Sequence, residues 1–381
     1  MKKTISNEIK MNNRKIIYQF IKDQGFVSKQ DIVVGLGLSL PTVTQNLQYL
    51  EERGLIDGSS KISNTGGRNA TAYSCIKGAK IALGVYLTAN HISVVAVDLH
   101  GNILTTLKER MNFNLDDEHY LCKLGEIVVS VKESTLSSED ELLGVGLAVP
   151  GLVSEDGEAV IYGFAFDSTD RTNRTKAEIA KYIPYETKML HDSFVAGYAE
   201  VWVAKEVQNA FHISLNYSVG GVVITNRKIY AGNNEKSGEI GHMTIIPVDG
   251  KKCYCGQYGC YDTVGHAGNL DVHTNGNLET FFELLKEGNK KIEKVWEEYL
   301  EYLAIAINNV RVLFDCDIIL GGYVGTYIEE YMDDIRVRVN NRNPFHETDN
   351  AKDYLLPCKY KKEATAAGAA IVMVSDFLDN I

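Results

Sequence analysis

The chain has 381 residues, 45% hydrophobic and 23% charged, a balance that suits about two or three globular domains with a sizeable core and excludes a disordered or fibrous chain. With no apolar run of about 18 residues, and an opening "MKKTISNEIK" that lacks an apolar core and a cleavage site, neither a membrane span nor a signal peptide is expected. Charge is uneven: residues 1–80 hold 12 Lys and Arg against 6 Asp and Glu, the remainder 27 against 44, and a basic head on an acidic body points to a polyanionic partner for the head alone.

The head is helical from Asn13 to about Ile56. "NRKIIYQFIKDQG" puts Ile16, Ile17, Phe20 and Ile21 at helical spacing and stops at Gly25. Ser28 opens a second helix as N-cap, with Asp31 at the reciprocal position of a capping box. Ser39 caps a third helix, Pro41 suits its first turn, and Val43, Leu47 and Leu50 form its buried stripe. Three helices with a tight turn before the last describe a helix-turn-helix. Ser39, Thr42, Thr44, Gln45 and Asn46, at the start of the third helix, are the candidates for reaching base edges in a major groove. "LIDGSSKISNTGGRNATAYSCI" then reads as two strands around a Gly-rich hairpin, the wing of a winged helix, with Arg68 after Gly66-Gly67 placed to enter a minor groove. Operator DNA is the expected partner, read by a symmetric dimer over paired half-sites.

Beyond Lys80 the texture changes. "KIALGVYLTANHISVVAVDLHGNIL" reads as strands joined by tight turns, a helical stretch covers residues 116–135, and "LLGVGLAVPGLV" is a buried strand ending in a Pro-Gly turn. Near the end, "VWEEYLEYLAIAINNVRVLFD" is a long amphipathic helix and "CDIILGGYVG" a strand entering a Gly-Gly turn. The class is α/β.

"CYCGQYGC" gathers Cys253, Cys255 and Cys260 within eight positions, with His242 eleven residues upstream of the first. Three thiolates and one imidazole make a closed tetrahedral zinc site of the structural type. The spacing is not that of a C-x-x-C redox pair, and a disulfide would strand one of the three. With seven cysteines, mostly scattered, a cytoplasmic setting without a disulfide framework is expected. Cys75, Cys122, Cys316 and Cys358 read as packing residues.

"GVGLAVPGLV", "SGEIGHM", "CYCGQYGC" and "DIILGGYVG", in that order behind a winged helix, resemble the ROK family of sugar kinases and sugar-responsive repressors. The resemblance implies an actin-like, ribonuclease-H-like fold of two lobes around a cleft that holds a sugar, with ATP beside it in kinase members. The head marks the repressor branch, similar to the family's xylose and N-acetylglucosamine repressors. It implies zinc on His242, Cys253, Cys255 and Cys260, and sugar contacts from His191, Asp192, Glu239, His242 and Asp262. Asp192 aligns with the family's proton-accepting Asp, while His191 stands where kinases carry Asn, and Asp262 where they carry Glu.

The phosphate loops depart further. The kinase pattern G-V-D-I-G-G-T aligns with "GVYLTAN", placing Tyr86 at the magnesium-holding Asp and Thr88 and Ala89 at the glycines. The second loop, G-T-G-I-G-x-G, aligns with "NYSVGGV" at 216–222 and loses most of its glycines. The expectation is a cytoplasmic, non-enzymatic repressor that forms a homodimer or homotetramer and takes a sugar or sugar derivative in its cleft. Its expected divisions are a head at 1–78, a first lobe at 79–190 plus 364–381, and a second lobe at 191–363. A sugar kinase with a regulatory head is the rival, and a body that binds a protein partner the third possibility.

Overall fold

The computed structural model describes residues 2–62, 70–88, 90–136, 141–162, 174–204, 206–234, 236–345 and 348–381. The head is helix α1 (Lys2–Gln24), strand β1 (Val27–Ser28), helices α2 (Lys29–Leu36) and α3 (Leu40–Glu52), and wing strands β2 (Ile56–Ile62) and β3 (Ala70–Cys75). Helix α1 starts at Lys2, about four turns before Ile16, the first residue of the stripe; its opening turns are mostly polar, with Ile5 and Ile9 spaced too sparsely to mark the start. The Ser28–Asp31 capping box forms in full, and Ser39 accepts the Thr42 N–H with Pro41 in the first turn. β3 pairs antiparallel with both β2 and β1. The tip of the wing, including Gly66, Gly67 and Arg68, lies outside the described residues.

The body repeats one plan twice. In the first lobe β4 (Ile81–Leu87), β5 (His91–Asp98) and β6 (Ile103–Arg110) form an antiparallel meander, and α4 (Glu118–Thr135) leads to β7 (Leu142–Val149), parallel to β4. A small sheet of β8 (Leu152–Val153), β9 (Ala159–Tyr162) and β10 (Arg174–Thr175) and the short α5 (Lys176–Ile179) precede β11 (Thr187–His191), parallel to β7. Helix α6 (Asp192–Val203) then crosses to the second lobe.

There β12 (Ala210–Leu215), β13 (Val219–Thr225) and β14 (Lys228–Tyr230) form the second meander. After the cysteine loop come α7 (Asp262–Gly265), α8 (Gly268–Asp271), α9 (Leu278–Lys286) and the long α10 (Lys290–Phe314). β15 (Asp317–Gly321) runs parallel to β12, and after α11 (Gly322–Gly325), α12 (Met332–Asn340) and α13 (Ala351–Tyr354), β16 (Leu355–Pro357) runs parallel to β15. The last helix, α14 (Ala364–Asp379), returns to the first sheet. The strand orders, β11-β7-β4-β5-β6 and β14-β13-β12-β15-β16, are two meanders each extended by parallel strands from the first strand of the meander. Ligands of such sheets bind beyond the carboxyl ends of parallel strands, and here the chain leaves β7, β11 and β15 into one common cleft at Pro150, His191 and Tyr323.

The alanine-rich face of α14, with Ala366, Ala367 and Ala370, lets it lie close on the first sheet. The apolar cluster it builds there with Val95, Val97 and Ile371 is continuous with the core of the head, which contributes Ile17, Tyr18, Ile21 and Leu55. Lys15 pairs with Asp379, and the Lys22 ammonium sits 4.6 Å above the Trp202 ring of α6. The head is thus packed onto the first lobe.

Candidate functional site

The cysteine loop is held by two isolated bridges, Thr244 to Cys260 and Lys252 to Tyr258. Gly256 and Gly259 take positive φ (91° and 73°), and a Cβ on Gly259 would lie 1.8 Å from the Ile246 carbonyl oxygen, so the fold-back depends on that glycine. The loop brings one ligand atom from each of His242, Cys253, Cys255 and Cys260 within 4.8 Å of one another. Cys255 Sγ lies 3.7 Å from Cys260 Sγ, and Cys253 Sγ lies 3.7 Å from His242 Nδ1. Those separations match the edges of a tetrahedron with metal–sulfur bonds of about 2.3 Å and are too long for a disulfide. The residues fit a metal ion. Among the other cysteines, Cys316 and Cys358 are buried and Cys75 and Cys122 half-buried, each as a free thiol.

Nδ1 of His242 faces the thiols. Its Nε2 points the other way, 3.2 Å from Tyr254 Oη and 4.0 Å from Glu239 Oε2. With Nδ1 given to a metal, Nε2 carries the ring proton and donates to Tyr254 Oη, which also lies 3.1 Å from Ser218 Oγ. Tyr254 is the residue between two of the cysteines, and the sequence reading passed over it.

Beyond it lies a cavity of about 470 Å³ between the lobes, lined by His191, Asp192, Glu239, Tyr254, Tyr86 and Tyr323 among others. Asp192 opens α6, and burial pushes its carboxyl up to about 6 despite the Ser193 N–H donated to Oδ1 at 2.7 Å. Tyr86 Oη stands 3.5 Å from Asp192 Oδ2. Burial holds the His191 imidazole down to about 4, so it is neutral at neutral pH; its Nε2 is 3.4 Å from Asp192 Oδ1, and among the described residues its buried Nδ1 has no hydrogen-bond partner. Burial raises the Glu239 carboxyl, and the Asp192 charge adds to that rise.

Asp262 is placed differently from the expectation. It is 6% exposed, does not line the cavity, and its Oδ1 accepts the Val219 N–H at 2.6 Å. The shorter side chain holds the start of β13 in place and does not face the cleft.

In the head, Thr44 and Gln45 are exposed. Ser39 Oγ lies 2.8 Å from Thr42 Oγ1, each hydroxyl engaging the other at the start of α3. Asn46, expected on the exposed face, is buried: its Nδ2 donates to the Thr42 carbonyl at 2.8 Å. That carbonyl is one turn back on the same helix, so the amide closes on its own backbone and turns from solvent.

The model of the ROK family matches residues 82–375. The chain belongs to the ROK family. As a ROK protein it is similar over its length to the xylose repressor of Bacillus spizizenii, 23% identical across 97% of both chains. It is 26% identical to the DNA-binding transcriptional dual regulator NagC of Escherichia coli over 74% of this chain and 67% of NagC. Among solved structures it matches a ROK family transcriptional regulator, a homologue of E. coli Mlc, with TM-score 0.75 at 22% identity over 98% of this chain and 97% of that one. A ROK glucokinase of Streptomyces griseus, in complex with glucose and AMPPNP, matches with TM-score 0.64 at 20% identity, covering 77% of this chain and 98% of that one. The α/β, two-lobed ROK fold is shared with both kinds of protein.

Set against the ROK phosphate-loop pattern, the β4–β5 hairpin of this chain is closed on itself. The Thr88 hydroxyl accepts the N–H groups of His91 at 3.0 Å and Asn90 at 3.4 Å, and the Thr88 N–H donates to the His91 carbonyl at 2.9 Å. Backbone donors that cradle phosphate in a glycine loop are here satisfied internally. Ala89 lies outside the described residues.

Proposed function

We propose that this ROK protein is a sugar-responsive transcriptional repressor. Its winged helix binds operator DNA through Ser39, Thr42, Thr44, Gln45 and Arg68, in a homodimer or homotetramer in the cytoplasm, with divisions near 78, 190 and 363. A sugar or sugar derivative enters the cleft against His191, Asp192 and Glu239; His242, like Asp262, does not line it, and Tyr254 stands between the cavity and His242 Nε2. The observation that carries the reading is the pairing, in one chain, of a winged-helix head with a cleft that keeps Asp192 but sets Tyr86 over it, at 3.5 Å, where the phosphate-loop carboxylate would stand. Support also comes from the full-length similarity to a xylose repressor.

Zinc is the metal that the donor set of His242, Cys253, Cys255 and Cys260 fits. A closed set of four ligands leaves no position for water, so zinc when bound supplies geometry and no reaction. It holds the loop carrying Tyr254 and His242 against the cleft. Signal passes along α6. Its first residue, Asp192, is in the cleft, and its last turn carries Trp202, over which the head's Lys22 rests. A ligand that pulls the lobes together biases α6 and α14, and with them the head, as far as its affinity for the two states differs.

The test is a panel of hexoses, pentoses and amino sugars, scored for thermal shift, for operator affinity and for ATP consumption. Thermal shifts with altered operator affinity and no turnover support the sensor. Turnover favours the kinase with a regulatory head, a reading kept alive by the surviving Asp192. No shift with any sugar favours a protein partner for the body.

A further inference from the structure

Helix α1 brings two cations to the edge of the helix proposed to read DNA. Lys10 and Arg14 stand one turn apart on one face of α1. Both line a cavity of about 240 Å³ together with Gln45, Gln48, Tyr49 and Glu52 of α3. Gln45, Gln48 and Glu52 follow one another at three- and four-residue steps, so they form one edge of α3. Gln45 is also a candidate for contact with base edges, and the cavity therefore borders the residues that would enter a major groove.

The charges in this corner have no acid to answer them. The Arg14 guanidinium lies 3.4 Å from the centre of the Tyr49 ring, and the Arg53 guanidinium lies 4.7 Å from the same centre. Among the described residues, none of Lys10, Arg14 and Arg53 forms an ion pair with a carboxylate. Arg14 Nε is buried and has no hydrogen-bond partner among them. Glu52, the acid of the lining, accepts from Gln48 Nε2 at 2.8 Å. Two guanidinium groups on one ring repel each other, and an approaching anion relieves that repulsion. Stacking on the ring holds Arg14 in place and leaves its planar fork available to an oxyanion.

The anion follows from the dimensions. A helix with its side chains is about 10–12 Å across and the major groove is about 12 Å wide, so groups flanking an inserted helix meet the phosphates that border the groove. We propose that Lys10 and Arg14, with Arg14 braced on Tyr49, clamp a DNA backbone phosphate at the rim of the groove that α3 enters. The inference rests on the winged-helix reading and adds a contact from α1, which supplies none of the base-reading residues. In this division α1 fixes register on the duplex and α3 reads its sequence.

The experiment is a salt titration of DNA binding by the full-length protein. One duplex is selected by the natural protein from a random pool, and the other is of random sequence. The natural protein is compared with Lys10→Ala, Arg14→Ala, the double variant and Gln45→Ala, each also melted. Each α1 variant is expected to weaken both duplexes alike, by about tenfold. The double variant is expected to lower the slope of log affinity against log salt by about one. Gln45→Ala is expected to weaken the selected duplex alone and leave the slope unchanged. An unchanged slope in the double variant overturns the proposal and leaves the winged-helix reading standing, as does a loss confined to the selected duplex. Lys10 is exposed, so its variant tests the clamp without disturbing the Tyr49 stack. If Lys10→Ala binds as the natural protein does while Arg14→Ala binds weakly and melts early, Arg14 serves packing and the proposal falls. Failure of the natural protein to retain any duplex removes the DNA reading and the proposal together.

Discussion

On the second-lobe wall of the cleft, His242 and Tyr254 belong to a loop pinned by three cysteines, with Glu239 just ahead of it, while on the first-lobe wall Tyr86 and Thr88 close a hairpin that, among the described residues, contains no such clamp. One wall keeps the family's polar residues and the means to hold them. The other replaces donors for phosphate with a phenol over Asp192. On the proposed reading, a cleft can lose the parts that transfer a phosphoryl group and still keep those that recognise a polyol, because they sit on different lobes and are positioned by different contacts.

The comparison breaks most readily at the clamp. Cys255→Ser, or chelation, is expected to destabilise the fold by on the order of 4 kcal/mol and to release the bound metal, read by melting and metal analysis. An unchanged melt would mean that the second wall needs no clamp. Next is the cleft floor. The Asp192 carboxyl is raised from 3.8 to about 6 by burial, so the folded protein holds its proton more tightly than the unfolded chain does. Stability falls as pH rises from about 4 to about 6 and stays lower above that range, by roughly 3 kcal/mol. Asp192→Asn is expected to remove this loss and to weaken sugar binding, whereas in the natural protein binding should weaken as pH drops below about 6. Melts and titrations from pH 4 to 8 check both signs.

The tyrosines give smaller effects that should differ between the walls. Tyr254→Phe removes a 3.2 Å contact to His242 and is expected to lose about 1 kcal/mol. Tyr86→Phe removes a contact at 3.5 Å, and a loss of a few tenths of a kcal/mol (~0.3) is expected. Equal losses in denaturant melts would end the distinction. In the head, Gln45→Ala should leave stability within about 0.5 kcal/mol and weaken operator binding. Asn46→Ala should instead lower stability, because its amide is buried.

Much of this was legible in the chain. Ser28 with Asp31, and Ser39 with Pro41, mark helix starts because capping acts over three residues. The cysteine spacing marks a metal loop because its ligands lie within one short excursion of the backbone. The inward turn of Asn46 was less accessible, since one helical position separates an exposed face from a buried one. Asp262 was misplaced because its partner, the Val219 N–H, lies 43 residues away.

By itself, then, the sequence determined the winged helix, the set of residues fit to hold a metal and the family plan, each written in short-range spacing or ordered motifs. Tertiary structure decided which polar groups face the cleft, that Tyr86 covers Asp192 across 106 residues of chain, that Tyr254 lies against His242, and that the head's core runs into that of the first lobe. Those contacts depend on how two sheets and a returning C-terminal helix are brought together, and no local periodicity encodes that juxtaposition.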